Sequence, residues 1–195
     1  MKNKIFCIGL PKTGTTSLAE TLNYHGFKIK DNPIDKVTMT ELQSGNYNLS
    51  ILKKYDGISD LAACIYYKEY YQVSSESKFI YTTRNKNIWL ESCRNWWEHL
   101  GIDSLEGFKK RDESLDYSMS FLKSSLFGTY LFSHTRFSSV YDYFDKGVRM
   151  FFEDKDNFLI LPLEDSNEIK KKKLGNFLEK DIKVYFNSNV RGVNR

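Results

Sequence analysis

The chain has 195 residues, a formal net charge of +4, and a composition that is 41% hydrophobic and 15% aromatic. That suits one α/β domain spanning residues 1–195 with a real core. The positive excess fits an anionic ligand, but it is too small for a nucleic-acid partner, which calls for a concentrated basic face. With 3 prolines and 11 glycines, no long flexible linker is expected.

The apolar run at the start, Ile5 to Leu10, is short for a secretory signal, and no stretch approaches a membrane span. Cys7, Cys64 and Cys93 are far apart and odd in number, so neither a disulfide framework nor a metal site is expected, and each is expected as a small buried hydrophobe. A reducing, cytoplasmic location is the default.

In chain order, KIFCIG at 4–9 predicts a buried strand, 10–14 a turn, and Thr15 to Tyr24 a helix with Leu18 and Leu22 on one face. A second strand is expected at 27–30, a short helix around 38–43, and a helical turn at 49–54. Residues 57–60 predict a strand that ends at Asp60, and 62–72 an aromatic-rich helix. SSES at 74–77 is a turn, KFIYTT at 78–83 a strand, and 86–100 a helix. Residues 104–125 are expected to be mostly helical. Val140, Phe144, Val148 and Phe151 predict a helix over 140–152, FLILPL at 158–163 the last strand, and 168–178 the last helix. Strands apolar throughout, alternating with helices, predict a three-layer α/β fold of P-loop type, with a central, mainly parallel sheet. The lysine run 170–173 is expected as a solvated helix face, with a secondary anion contact as the alternative.

GLPKTGTTS, Gly9 to Ser17, joins the first strand to the first helix. A glycine loop there directs successive N–H groups at one point, beside the unpaired donors of a helix start, which makes a nest for phosphate or sulfonate oxygens. Gly14 permits unusual backbone angles and close approach. Gly9 and Gly14 keep the spacing of the nucleotide triphosphatase loop, but Thr15 occupies its lysine position and Lys12 precedes the second glycine. The pattern is not G-x-G-x-x-G either. Further on, the strand KFIYTT delivers Arg84 at its C-terminal end, and Ser92 lies eight residues later in the next helix. A guanidinium fork and a hydroxyl there could grip one phosphate; a surface arginine and a solvent-facing serine are the plainer alternative.

PKTGTTSL at 11–18 resembles the 5′-phosphosulfate loop of sulfotransferases that use 3′-phosphoadenosine 5′-phosphosulfate (PAPS). The resemblance implies that Pro11, Lys12, Thr13, Gly14, Thr15, Thr16 and Ser17 hold the cofactor. Lys12 would serve the bridging region and the sulfonate; backbone N–H groups and hydroxyls would hold the 5′-phosphate. The family places an arginine after a strand and a serine eight positions on, both at the 3′-phosphate; Arg84 and Ser92 match in order and spacing. Asn85-Lys86 replaces the acidic-proline or asparagine-proline pair usual there. Trp89 resembles a tryptophan of a short sulfotransferase-like branch, with packing as its expected role. GISDLAA at 57–63 and the segment 140–165 resemble further parts of that branch, but Phe144 stands where many relatives carry histidine. The end, VRGVNR, is similar to the family's C-terminal asparagine and basic residues. The glycine-rich basic segment of classical cytosolic members is not evident. The pattern follows most of the chain, with the first two motifs the sharp ones.

The implied reaction moves a sulfonate from PAPS to a hydroxyl or amine of a small-molecule or carbohydrate acceptor, leaves 3′-phosphoadenosine 5′-phosphate (PAP), and needs no metal. Lys12 is the expected electrostatic catalyst. Asp60 at a strand end is the first candidate for general base, with a helix N-cap as its equal alternative. His99 is the second, with a role at the end of its helix as the alternative. Tyr66, Tyr67, Tyr70, Tyr71, Trp96 and Trp97 line either an acceptor cleft or the core. Two other functions stay open: a P-loop kinase-like phosphoryl-transfer enzyme, which would need magnesium, and a non-catalytic nucleotide-binding or interaction protein.

Overall fold

The computed structural model describes residues 3–102 and 113–188. They fall into two compact units, residues 1–83 with 156–195 and residues 84–155.

The first unit is built on a five-stranded sheet in the order β2-β3-β1-β4-β5. Its strands are β1 (Ile5–Cys7), β2 (Ile29–Asp31), β3 (Gly57–Ser59), β4 (Lys78–Thr83) and β5 (Phe158–Pro162), and every pairing is parallel. Parallel neighbours need crossovers. Helix α1 (Thr15–Tyr24) joins β1 to β2. Helix α2 (Lys36–Gln43) and a 3-10 turn (Ser50–Lys53) join β2 to β3. Helices α3 (Leu61–Ile65) and α4 (Tyr67–Val73) lead to β4. The chain leaves β1 for one side of the sheet and β4 for the other, and at such a switch point ligands bind outside the carboxyl ends of the strands.

Alternation along β1 assigns the two faces. Ile5 and Cys7 join Ile29, Ile80 and Leu161 beneath Leu18, Ala19 and Leu22 of α1 and Leu174 of α8 (Asn167–Leu178). Phe6 points the other way and stacks on Tyr70 of α4 at 4.6 Å and Phe79 at 5.2 Å. The result is helix, sheet and helix in three layers, as the apolar strands predicted.

The second unit packs α5 (Lys86–His99) and α6 (Glu113–Phe127) against α7 (His134–Phe151). Trp89, Trp97, Phe127 and Phe137 are fully buried in it. Trp89 lies against Phe127, Phe137 and Tyr141, the packing role expected of it.

Helix α1 and strand β4 have the boundaries that the sequence predicts. Elsewhere tertiary packing moved them. Tyr66 leaves helical geometry at φ −108° and ψ 28°, so the single helix expected over 62–72 is two. Tyr67 and Tyr70, three residues apart on one face of α4, are both buried. Helix α7 starts at His134 rather than 140, because the Ser133 side chain caps it by accepting from Arg136 N, and Phe137 anchors the added turn against Phe127. Lys170 is 3% exposed, so the lysine run is not wholly a solvated face: its ammonium lies 4.4 Å from the Tyr185 ring centre and donates to the Leu163 carbonyl. Of the helix expected over 104–125, residues 104–112 lie outside the described residues, as does the terminal VRGVNR, while the remainder falls in α6.

Candidate functional site

The loop between β1 and α1 is tied to β4 by hydroxyl groups. Thr13 Oγ1 donates to the Leu10 carbonyl at 2.6 Å and lies 2.7 Å from Thr82 Oγ1. A carbonyl can only accept, so the Thr13 proton goes to Leu10 and Thr82 donates to Thr13. Thr13 is 2% exposed, and its backbone N–H also turns back to Leu10 O. The polar groups of Thr13 therefore shape the loop from inside. Gly9 is dictated by the same approach: a Cβ there would collide with Thr82 Oγ1 and sit 2.8 Å from the Thr82 carbonyl.

The loop then reverses through two residues with positive φ, Lys12 at 70° and Gly14 at 96°. The second is a glycine, which takes that angle without strain, but Lys12 bears a steric cost of about 1–2 kcal/mol. Strain of this kind persists where the surrounding structure over-determines it, often at ligand sites. Gly14 occupies the N-cap of α1, and no side chain caps that helix. The other described helices of eight or more residues with a recorded N-cap use Asp35, Asn85, Ser133 and Ser166. Nor does the first turn of α1 carry an acidic residue. A helix start without side-chain caps or acidic residues is the kind of terminus that suits an anion.

Side chains of the first turn go to different partners. Thr16 Oγ1 donates to Asp31 Oδ2 at 2.9 Å, and Ser59 Oγ donates to Asp31 Oδ1 at 2.5 Å. Asp31, Ser59, Cys7 and Ile80 share one register row, which crosses the last residues of β2, β3 and β1 and the middle of β4. Burial, and secondarily the charge of Asp31, push the Cys7 thiol far above its ordinary value, so Cys7 is a buried thiol and no nucleophile. All three cysteines are free and buried. Ser17 Oγ accepts from Ser188 N at 3.0 Å, Thr15 is buried, and Pro11 is buried in the turn.

Asp60 follows β3, adjacent to β1 in the sheet, so Lys12 and Asp60 leave the carboxyl ends of neighbouring strands. Asp60 occupies the N-cap position of α3, and its carbonyl accepts from Ala63 N and Cys64 N, but its side chain makes no capping bond. Its φ of 68° with ψ of −152° is a conformation few residues other than glycine adopt. The helix-cap alternative therefore holds for its backbone only.

Arg84 directly follows β4 and belongs to the second unit. Its carbonyl accepts from Tyr141 Oη at 2.6 Å, and the next residue, Asn85, caps α5 by accepting from Asn87 N and Ile88 N. That cap explains the Asn85-Lys86 pair: asparagine starts the helix that a proline would otherwise open. Ser92 is half-buried on α5, about 9 Å along the axis from Lys86. His99 is exposed as the last residue of α5, with its ring 5.5 Å from that of Trp96. Tyr67, Tyr70 and Trp97 are core, whereas Tyr66 and Trp96 are half-buried.

Three residues of this environment had no sequence signal: Asp31 and Ser188 reach the first turn of α1 from distant segments, and Ser59 holds Asp31. Asp31 ends a short strand that carries little pattern, and the Ser188 contact is made by a backbone N–H, which any residue but proline supplies.

A family model described as "Sulfotransferase domain" matches residues 4–186 and so runs through both units. No curated protein matches the sequence. Among solved structures, the chain is similar to a sulfotransferase from Alicyclobacillus acidocaldarius, with a TM-score of 0.57 and 13% identity over 99% of this chain and 87% of that one. At that identity the likeness establishes the fold.

Proposed function

Because this chain belongs to the sulfotransferase-domain family, we propose that it transfers a sulfonate group from PAPS to a hydroxyl or amine acceptor, releasing PAP. The observation that carries the reading is the uncapped start of α1 behind a strained Lys12. A helix N-terminus free of side-chain caps and first-turn carboxylates, with the Lys12 cation in the loop before it, fits a phosphosulfate.

PAPS supplies a sulfonate on a phosphate leaving group. The N–H groups of the loop and first turn of α1 bind the 5′-phosphate, with Thr15 and Thr16 beside them. Lys12 offsets charge at the bridging oxygen as the bond weakens, through fixed electrostatics that need no reorganisation. Thr13 and Gly9 act indirectly by holding the loop against β4. Arg84 and Ser92 bind the 3′-phosphate. Asp60, with a side chain uncommitted to capping, takes the acceptor's proton; His99 is the second candidate. The three free, buried thiols suit a reducing cytoplasm.

Calorimetry with PAP and with ATP, each with and without magnesium, tests the reading. PAP is expected to bind more tightly than ATP and without magnesium. Magnesium-dependent ATP binding with none for PAP would favour phosphoryl transfer instead.

A further inference from the structure

Beyond the last helix, residues 181–188 run in extended form along α1 as a strap. Its direction is fixed by four backbone donors. Lys183 N and Val184 N donate to His25 Nε2 at 2.9 and 3.4 Å, Phe186 N to Thr21 Oγ1 at 3.0 Å, and Ser188 N to Ser17 Oγ at 3.0 Å. The strap therefore begins at the C-terminal end of α1 and climbs to the turn that follows the phosphate loop. Ser188 Oγ also donates to Glu20 Oε2. On its inner side Ile182 and Tyr185 join the core, and Tyr185 covers the ammonium of Lys170.

The ring of His25 has only one protonation state that satisfies these contacts. Nδ1 lies 2.7 Å from the Thr21 carbonyl, which can only accept, so Nδ1 carries a proton. Nε2 faces two backbone N–H groups, which can only donate, so Nε2 is bare. The ring is thus the neutral Nδ1–H tautomer. A second proton would go to Nε2 and place N–H against N–H, turning two attractive contacts into repulsive ones.

We infer that His25 is a proton-operated latch on the C-terminal strap: neutral, it holds the strap on α1, and protonated, it lets the strap go. Histidine is the side chain whose charge changes between about pH 5 and 8. The titratable groups on the elements meeting at His25 are Glu20 and Tyr24 on α1, Lys28 ahead of β2, and Glu179, Lys180, Asp181, Lys183 and Tyr185 in the segment after α8. Of these, the Tyr24 ring meets His25 edge-on at 5.1 Å, and Lys183 Nζ pairs with Asp181 Oδ2 at 3.9 Å. No carboxylate takes either ring nitrogen, each being committed to backbone. Release at the latch unseats Phe186 and Ser188 in turn, which frees the Ser17 hydroxyl beside the phosphate loop and uncovers Lys170.

The test is amide hydrogen exchange by NMR on the wild type, His25→Gln and His25→Phe at pH 7.5 and 5.5, expressed as protection factors. The ring 15N shifts of His25 are recorded alongside. In the wild type, protection at Lys183 and Val184 should fall about 10-fold or more on acidification, while Ile8, bonded to Ile80 O within the sheet, keeps its protection. Glutamine places a non-titrating acceptor near the position of Nε2, so the fall should vanish in His25→Gln. In His25→Phe protection should be low at both values. At pH 7.5 the ring shifts should show the proton on Nδ1. Equal wild-type strap protection at both pH values, an equal fall in His25→Gln, or a ring protonated on Nε2 at pH 7.5 would each overturn the latch.

Discussion

Thr13 and Thr82, 69 residues apart in sequence, share a buried hydrogen bond of 2.7 Å that fastens the loop between β1 and α1 to strand β4. The bond explains why a threonine in the middle of a polar loop is 2% exposed. Its hydroxyl serves the loop's shape, and what the loop offers outward is backbone N–H and Lys12.

Thr13→Val keeps the shape of the side chain but removes the acceptor for Thr82 and the donor for Leu10. A buried donor left unsatisfied costs about 1–3 kcal/mol, so denaturant unfolding should show a loss of that order. Thr82→Val should cost less, since the Thr13 bond to Leu10 survives. The double variant should lose less than the sum of the two, because the residues share one bond.

In the proposed function Lys12 combines backbone strain with an electrostatic role. Lys12→Ala should lower transfer about 10²–10³-fold with little change in the thermal melt, because the strained φ remains. Lys12→Gly should be equally inactive yet more stable than Lys12→Ala by about 1 kcal/mol, since glycine takes φ 70° freely. Turnover and melting of both variants check the two halves separately. Unchanged turnover would remove Lys12 from the mechanism.

Arg84 should distinguish ligands by their 3′-phosphate. A bond to a charged group contributes about 1.5–3 kcal/mol, so Arg84→Ala should weaken PAP binding about 10- to 100-fold. Adenosine 5′-phosphosulfate, which lacks that phosphate, should bind nearly as before, and Ser92→Ala should follow the same pattern more weakly. Equal weakening of both ligands would mean that Arg84 serves something else.

Lys170 should leave a signature in the pH dependence of stability. Burial lowers its affinity for a proton in the folded state, against smaller opposing effects of Asp165 and Glu164. The unfolded chain then binds more protons between the lowered folded value and the ordinary lysine value of 10.5, so this residue's contribution improves as pH rises through that window. Lys170→Met, which keeps the stem and removes the charge, should flatten the rise in the window just below the ordinary lysine value. Burial pushes the Tyr185 hydroxyl well above its ordinary value, and because that residue is common to both proteins its contribution cancels in the difference. Identical slopes would mean that the ammonium is as well solvated folded as unfolded.

The sequence by itself determined the elements whose information is local. β4 is largely apolar, α1 has Leu18 and Leu22 one turn apart, and the glycines mark the turn between β1 and α1. These patterns come from the repeat of helix and strand and from what one short turn can do, so neighbours in sequence carry them. Only the tertiary structure decided that Thr13 faces inward to Thr82, that Asp31 gathers Thr16 and Ser59, that Lys170 is buried under Tyr185, and that His25 holds a strap 158 residues away. In each case the partner is a hydroxyl, a carboxylate, a ring or a backbone N–H brought from another element. A residue type alone does not record which distant group will satisfy it; the sheet order and the course of the chain over α1 do.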